Sequence, residues 1–213
     1  MLGLQDCDAI ILCGGLGTRF REVMDDRPKG LAPVAGKPIL EILVDDLVAQ
    51  GIKRIILCVG HLRGHIIDYF KDRNDVEILF SIEETPLGTG GAVRNASNQV
   101  ISQHVLILNG DSLCKISFND FCQFHHAKGS FLSIAVTPAE NSKDYGNIAL
   151  GENGRIVSFK EKFTEVNPSL VNGGIYLMQS SGLQLLQGSY PISIEHDFFP
   201  NIIETEPCFG YVL

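Results

Sequence analysis

The 213-residue chain is 45% hydrophobic and 20% charged, proportions that are typical of a globular protein and sufficient for one full α/β domain. Its 17 basic and 25 acidic residues give a net charge of -8, which argues against non-specific nucleic-acid binding and against binding to an anionic membrane surface. A polyanionic substrate would therefore have to be held by a local cluster of cations.

The first half of the chain alternates short apolar runs with segments of helical spacing. The runs at 9–13, 54–59, 77–82 and 105–109 are rich in Ile, Val and Leu and predict buried strands. Helices are predicted from the apolar stripe between Ile39 and Val48, which Pro38 precedes and Gly51 follows, from Ile66, Ile67 and Phe70, and over 92–100. Such alternation predicts βαβ units and a largely parallel sheet covered on both faces.

The second half has a different pattern. Strands with turns between them are predicted at 131–137, 147–150, 156–160 and 175–178, in an antiparallel arrangement. His125 and His126 would point in different directions on a helix, so we expect them on the solvated surface and not on a shared metal ion.

Composition and local sequence pattern also indicate the cellular compartment of the protein. No apolar run approaches the ~20 residues that span a bilayer, and residues 1–6 lack the basic and apolar regions of a signal peptide, so we expect a cytoplasmic protein. The six cysteines are scattered without CxxC spacing and are expected to be reduced and mostly buried.

A glycine-rich turn follows the first strand. It reads Leu12-Cys13-Gly14-Gly15-Leu16-Gly17-Thr18-Arg19, with Pro28-Lys29 shortly after it. Backbone N–H groups of such a turn can cradle phosphate oxygens, and Arg19 and Lys29 would neutralise the remaining charge of a nucleoside triphosphate. A dinucleotide fingerprint is excluded because Phe20 stands where its third glycine is needed, and the Gly-Lys-Ser/Thr of a Walker loop is absent.

Asp111 follows the strand predicted at 105–109, directly after Gly110. Ligands bind at the carboxyl ends of parallel strands, so the glycine turn and Asp111 can share one site. Mg2+ is the natural ion there, because it prefers oxygen ligands and bridges a carboxylate to phosphates. The alternative is that Asp111 caps a following helix or turn.

Six motifs in this order resemble the sugar-1-phosphate nucleotidyltransferases, over about residues 8 to 178. They are the glycine turn with Pro28-Lys29, the stretch from Ser81 to Ala92, Asn109-Gly110-Asp111, Tyr145-Gly146, Glu161-Lys162 and Val171 to Tyr176. Within the family, the opening turn and Pro86-Leu87-Gly88-Thr89-Gly90-Gly91 are most similar to the heptose 1-phosphate guanylyltransferases.

The resemblance implies a Rossmann-like three-layer αβα fold with a mixed, mainly parallel sheet, of the nucleotide-diphospho-sugar transferase type. Residues 1–213 would form one domain, with a nucleotide-binding half at about 1–112 and a sugar-phosphate-binding half at about 113–213. The implied reaction joins a nucleoside triphosphate, GTP in this subfamily, to D-glycero-D-manno-heptose 1-phosphate. It releases pyrophosphate and forms a GDP-sugar for surface polysaccharide synthesis, with Mg2+ as cofactor and no macromolecular partner other than a possible second copy of the chain.

The resemblance also implies the site residues. The catalytic set is Arg19, Lys29, Asp111, which also holds the metal, and Lys162, which grips the phosphate of the sugar. The nucleotide would be bound by Leu12, Gly14, Gly15, Gly17, Thr18, Glu83, Pro86, Gly88, Thr89 and Asn109. The sugar phosphate would be bound by Tyr145, Gly146, Glu161, Lys162, Asn172 and Gly173.

The base is inferred from hydrogen-bond chemistry. Guanine presents N1–H and N2–H2 as adjacent donors, and one carboxylate can accept both, so Glu83 or Glu84 is a suitable guanine reader.

Two departures from the family pattern stand out. Gly30 replaces a usual second proline after Lys29 and is expected to loosen that turn. The sequence ends at Leu213 before the family's usual Phe-x-Asp-x-Gly-x-Pro segment, which suggests that this segment is missing and leaves Asp111 without a second carboxylate.

The alternatives are therefore a mannose 1-phosphate guanylyltransferase, a transferase for another nucleotide, and a nucleotide-sugar-binding protein without transferase activity. An NAD-dependent oxidoreductase is disfavoured by Phe20.

Overall fold

The computed structural model of the protein describes residues 2–15, 28–139, 146–160 and 169–213. Within these ranges, nine strands form one mixed sheet, and helices pack on both of its faces. The predicted three-layer αβα architecture with a mixed, mainly parallel sheet is confirmed. None of the helices in these ranges is both long and apolar enough to cross a membrane.

Strands and helices alternate in the first half of the chain. The strands are β1 (Cys7–Leu12), β2 (Pro33–Val34), β3 (Lys37–Pro38), β4 (Arg54–Val59), β5 (Glu77–Ile82) and β6 (His104–Asn109). The helices are α1 (Ile39–Ala49), α2 (Arg63–Phe70) and α3 (Thr89–Ala96). β2 and β3 form a small separate hairpin, whereas β1, β4, β5 and β6 are parallel neighbours in the main sheet. Their carboxyl ends therefore lie along one edge.

The boundaries of these elements follow the sequence patterns closely, and the largest shifts are in β1 and α3. β4 and β5 have the predicted bounds, while β1 begins two residues earlier than expected and ends one residue earlier. α3 begins at Thr89 instead of Ala92, and its first turn contains Gly90 against Ile192 and Gly91 against Leu87 and Tyr190, where larger side chains would be crowded. A short 3-10 turn, Ser97–Gln99, ends this segment.

The second half contributes the antiparallel part of the sheet. Its elements are α4 (Phe118–Ala127), β7 (Leu132–Ala139), β8 (Asn147–Leu150), β9 (Ile156–Lys160), β10 (Ser169–Gln179), α5 (Phe199–Thr205) and β11 (Cys208–Val212). β10 is antiparallel to both β6 and β7 and so joins the two halves of the sheet. β11, which the sequence patterns did not predict, pairs in parallel with β7.

The core lies on both faces of the sheet. Ile10 of β1 faces the layer of α3 and α5, whereas its neighbours Ala9 and Ile11 face α1, α2 and α4. This alternation is the two-residue period of a strand, and both of its faces are apolar because both are covered.

His125 corrects the expectation of a solvated histidine pair. It is only 1% exposed, while His126 is exposed as expected. The reason is helical spacing: His125 continues the inward face that begins with Phe118, Phe121 and Cys122 on α4. All six cysteines are free and are buried or half-buried, as expected.

Candidate active site

The glycine turn leaves β1 at the carboxyl edge of the parallel strands. A Cβ on Gly14 would stand 2.7 Å from Glu83 Oε1 and 3.1 Å from the backbone nitrogen of Gly60, which follows β4. Only glycine allows this close approach of the turn to its neighbours. Gly15 is exposed, and a Cβ there would meet no atom of the described chain within 4 Å. The described part of the turn therefore borders open space, as a phosphate-binding turn must.

Lys29 and Asp111 meet beside this turn. The Lys29 Nζ lies 2.6 Å from Asp111 Oδ2, although the two residues are 82 positions apart in the sequence. Lys29 begins a single 3-10 turn after Pro28, and Asp111 is the second residue after the end of β6. The backbone of Gly110 holds β6 against β1, because its N–H donates to the carbonyl of Leu12 at 2.8 Å. The predicted cation and the predicted metal carboxylate are thus in direct contact.

The Lys29–Asp111 ion pair is exposed to solvent. The two side chains are 41% and 43% exposed, and the second carboxylate oxygen of Asp111 accepts a hydrogen bond from Ser112 Oγ at 3.2 Å. Ion pairs this exposed contribute at most about 1 kcal/mol, so a phosphate group or a metal ion can separate them. Gly30 supports the same geometry, since its backbone lies beside the Gly110 carbonyl and Leu40.

Some of the predicted site residues lie outside the described ranges. They are Gly17, Thr18, Arg19, Tyr145, Glu161 and Lys162.

Glu83 follows β5 and lies between the glycine turn and the loop before α3. Its Oε2 accepts the backbone N–H of Leu87 at 3.2 Å, and its Oε1 faces Gly14. Burial raises the pKa of the half-buried Glu83 carboxyl, and the hydrogen bond from Leu87 partly offsets this. Glu84, the other candidate guanine reader, is exposed and forms an ion pair with Arg63 at 3.0 Å.

The loop from Pro86 to Thr89 packs against a segment near the C-terminal end of the chain. Pro86 is exposed, while Gly88 has a φ of +79° and leaves no room for a Cβ against the Ile192 backbone. Thr89 Oγ1 donates to Glu195 Oε2 at 2.7 Å and accepts from the N–H of Ile194 at 2.9 Å. The Thr89 hydroxyl therefore forms its hydrogen bonds with other residues of the protein. In this structure it supports the loop and does not point to a nucleotide.

Asn109 ends β6 and its side chain lies against β10. Its amide is close to Gly174 and hydrogen-bonds the Tyr176 hydroxyl. β10 carries an irregularity between Asn172 and Tyr176, where its register against β7 shifts. The Val171 to Tyr176 motif therefore lies against the end of β6. Asp111 follows that end of the strand two residues later.

The described sugar-side residues lie on and beside this bulge. The Gly146 carbonyl accepts the backbone N–H of Asn172 at 2.8 Å, and Gly173 lies against the Ala135 carbonyl. The Asn172 side chain donates through Nδ2 to Tyr176 at 2.8 Å and accepts through Oδ1 from the N–H of Gly174 at 2.9 Å. Burial and the nearby Glu195 raise the pKa of Tyr176 well above its usual range, so its hydroxyl stays protonated.

A divalent metal would have Asp111 as its ligand here. Among the described residues, no group of three or more His, Cys, Asp or Glu side chains could hold a metal ion together. Mg2+ does not need such a group, because it is commonly held by one or two carboxylates together with substrate phosphates and water. The exposed Asp111 carboxylate beside a phosphate-binding turn fits that mode of binding.

Glu195 is the site residue that the sequence patterns missed. It lies in a short π-helical segment, Ile194–Phe198, and contacts residues from both halves of the chain. The sequence contained one indication of this role. Glu195 lies among the apolar residues Ile192, Ile194 and Phe198, and a carboxylate in such surroundings needs hydrogen-bond donors nearby.

This fold and this arrangement of a glycine turn, a lysine and a carboxylate define a nucleotide-handling transferase. The model of the nucleotidyl transferase family matches residues 8–206, so the chain belongs to that family. Members of this family generally use a divalent metal ion.

The relatives are more specific. The chain is 34% identical to the D-glycero-alpha-D-manno-heptose 1-phosphate guanylyltransferase of Aneurinibacillus thermoaerophilus, over 96% of this chain and 89% of that protein. It is 38% identical to the enzyme of the same name from Campylobacter jejuni, over 80% of this chain and 75% of that protein. The crystal structure of HddC from Yersinia pseudotuberculosis complexed with GMP-PN has a TM-score of 0.82 and 32% identity, covering 97% of this chain and 90% of that one.

Proposed function

We propose that this protein transfers the guanylyl group of GTP to D-glycero-D-manno-heptose 1-phosphate, forming a GDP-sugar and releasing pyrophosphate. The observation that carries the proposal is the contact between Lys29 and Asp111 at the carboxyl ends of the parallel strands, beside the glycine turn. The choice of GTP and of the heptose rests on the relatives, two of which are named for this activity. We expect the reaction in the cytoplasm, where it would supply surface polysaccharide synthesis.

The chemistry requires positioning and charge stabilisation more than a protein nucleophile. An oxygen of the sugar 1-phosphate attacks the α-phosphorus of GTP, the bond from that phosphorus to the bridging oxygen of the β-phosphate breaks, and its electron pair leaves with pyrophosphate. Both substrates are anions, so their repulsion must be offset by cations. In the proposed site Lys29 neutralises charge near the α-phosphate, Arg19 binds the β- and γ-phosphates, and Lys162 binds the phosphate of the sugar.

Asp111 is the proposed Mg2+ ligand. When bound there, Mg2+ would supply charge neutralisation at the phosphates. In the free protein the Asp111 carboxylate instead orients the Lys29 ammonium through their ion pair.

The base and the sugar would bind on opposite sides of this centre. We assign residues 1–112 to the nucleotide half of a single domain and residues 113–213 to its sugar-phosphate half. Leu12, Gly14, Gly15, Gly17 and Thr18 form the proposed phosphate turn. The proposed base loop consists of Glu83, Pro86, Gly88 and Thr89, and Asn109 is a further proposed nucleotide contact. The proposed sugar contacts are Tyr145, Gly146, Glu161, Asn172 and Gly173.

Pyrophosphate release tests this proposal directly. GTP, UTP, dTTP, CTP and ATP are each combined with D-glycero-D-manno-heptose 1-phosphate, mannose 1-phosphate and glucose 1-phosphate, in Mg2+ and after chelation with EDTA. We expect the highest kcat/KM with GTP and the heptose 1-phosphate, and loss of turnover in EDTA.

Each other result has a defined meaning. Preference for another triphosphate would remove the guanylyl assignment, and preference for mannose 1-phosphate would change the sugar. Tight binding of GTP without pyrophosphate release from any pair would instead indicate a nucleotide-binding protein without transferase activity.

A further inference from the structure

The Glu195 carboxylate is hydrogen-bonded to three hydroxyl groups. Its Oε2 lies 2.7 Å from Thr89 Oγ1 and 3.1 Å from Ser193 Oγ, and its Oε1 lies 3.3 Å from the Tyr176 hydroxyl. Thr89 and Glu195 are 106 positions apart in the sequence. The carboxylate therefore ties the start of α3 to β10.

The direction of each of these hydrogen bonds is determined by its neighbours. Each hydroxyl oxygen also receives an N–H that can only donate: Thr89 from Ile194 N at 2.9 Å, Ser193 from His196 N at 3.1 Å, and Tyr176 from Asn172 Nδ2 at 2.8 Å. A hydroxyl has one proton of its own, and in each case the carboxylate is the acceptor that this proton reaches. Glu195 thus accepts three O–H groups through its two carboxylate oxygens, whereas a carboxamide would offer only one acceptor oxygen.

This network fixes two side chains that belong to different halves of the site. Through Tyr176, Glu195 sets which way the Asn172 amide faces, since Nδ2 must donate to Tyr176 while Oδ1 accepts from Gly174 N. Among the described residues, one N–H and one lone pair of the Asn172 amide have no hydrogen-bond partner. Through Thr89, the same carboxylate holds the first residue of α3 and the loop before it.

We propose that Glu195 is a positioning residue that aligns the nucleotide loop at Thr89 with the sugar contact at Asn172. This rests on the proposed function, which assigns those two residues to the two substrates. Glu195 touches neither substrate in this scheme, and its effect passes through Thr89 on one side and through Tyr176 and Asn172 on the other.

The experiment separates the two branches of the network. Tyr176→Phe keeps the buried ring and removes only the hydroxyl that connects Glu195 to Asn172. Glu195→Gln keeps the size of the side chain but replaces one acceptor oxygen with an NH2 donor that would face a hydroxyl proton. Glu204→Gln, at an exposed position of α5, is the matched control for a lost carboxylate.

KM and kcat are measured for both substrates by pyrophosphate release, and Kd for GTP and for the sugar phosphate by calorimetry. With Tyr176→Phe, we expect KM and Kd for the sugar phosphate to rise by about tenfold, the change for one hydrogen bond lost. Those for GTP should rise less, because on the nucleotide side this hydroxyl meets Asn109 and not the Thr89 loop. With Glu195→Gln, both substrates should bind more weakly, and Glu204→Gln should match the wild type.

Other results overturn the positioning role. If Tyr176→Phe weakens both substrates equally or neither, or if Glu195→Gln leaves kcat, both KM values and both Kd values unchanged, the carboxylate does not align the site. A wild-type protein that neither binds GTP nor releases pyrophosphate would instead refute the proposed function, and the positioning role with it.

Discussion

His125 should make the stability of this protein fall steeply in mild acid. Its Nδ1 lies 2.9 Å from Ser133 Oγ, in a chain of hydrogen bonds that runs on to Ser130 Oγ and the Leu132 carbonyl. Since Ser130 donates to the carbonyl and Ser133 donates to Ser130, Nδ1 must donate to Ser133. The Nε2 of His125 then carries the lone pair, and it is buried without a hydrogen-bond partner among the described residues. Protonation there would place an unpaired charge in the core.

The size of the effect follows from the shift in pKa. Burial, together with the neighbouring His104 and His126, lowers the pKa of His125 from 6.5 to about 3. Below pH 6.5 the unfolded chain binds a proton at this position and the folded protein does not, so the free energy of unfolding decreases as the pH falls. The decrease continues until the pH approaches 3. The slope approaches about 1.4 kcal/mol per pH unit, which amounts to about 2 kcal/mol between pH 6.5 and 4.5.

Urea denaturation at a series of pH values measures this contribution. We expect His125→Leu to be about 1 kcal/mol less stable than the wild type at pH 7.5, because Ser133 loses a hydrogen bond. Between pH 6.5 and 4.5 the variant should lose about 2 kcal/mol less stability than the wild type. His126→Gln, at the exposed neighbouring position, should keep the wild-type slope. If the wild type and His125→Leu decline in parallel, the reasoning about His125 is wrong.

Two further predictions concern the turn that begins at Lys29. Lys29→Met should lower kcat for pyrophosphate release by about a hundredfold or more, because a positioned cation is lost from the transition state. Lys53→Met, at an exposed position before the amino end of β4, should leave kcat unchanged, and equal rates for the two variants would remove Lys29 from the mechanism. Gly30→Ala should stabilise the protein by about 0.4 to 1 kcal/mol, because its Cβ would meet Leu40 at 3.6 Å, an ordinary contact, while the unfolded chain loses freedom. A lower urea midpoint for Gly30→Ala would show that the turn depends on glycine.

The sequence was sufficient for the elements that local pattern specifies. The bounds of β4 and β5 could be predicted because both strands are mainly apolar runs that begin at a charged residue and are followed by Gly60 and Glu83. The glycine turn and Asp111 could be assigned to one site because carboxyl ends of parallel strands share an edge, and Lys29 was assigned to it from its place after the glycine-rich motif. The contact of 2.6 Å between Lys29 and Asp111 agrees with that inference.

The tertiary structure decided what depends on contacts between distant segments. β11 could not be predicted, because its stability comes from pairing with β7 and not from a distinctive pattern of its own. The burial of His125 depends on which face of α4 packs against the sheet, and a histidine pair alone does not say so.

The network around Glu195 shows most clearly the difference between what local sequence specifies and what tertiary contacts decide. The motifs that contain Thr89 and Asn172 could be found by resemblance to the family, because each motif is a short run of neighbouring residues. The carboxylate that connects these motifs lies in a segment with no motif, and only the folded chain brings it within 2.7 Å of Thr89 and 3.3 Å of Tyr176. Such a hydrogen-bond network depends on which residues the fold brings together, and neighbouring residues in the sequence do not specify that.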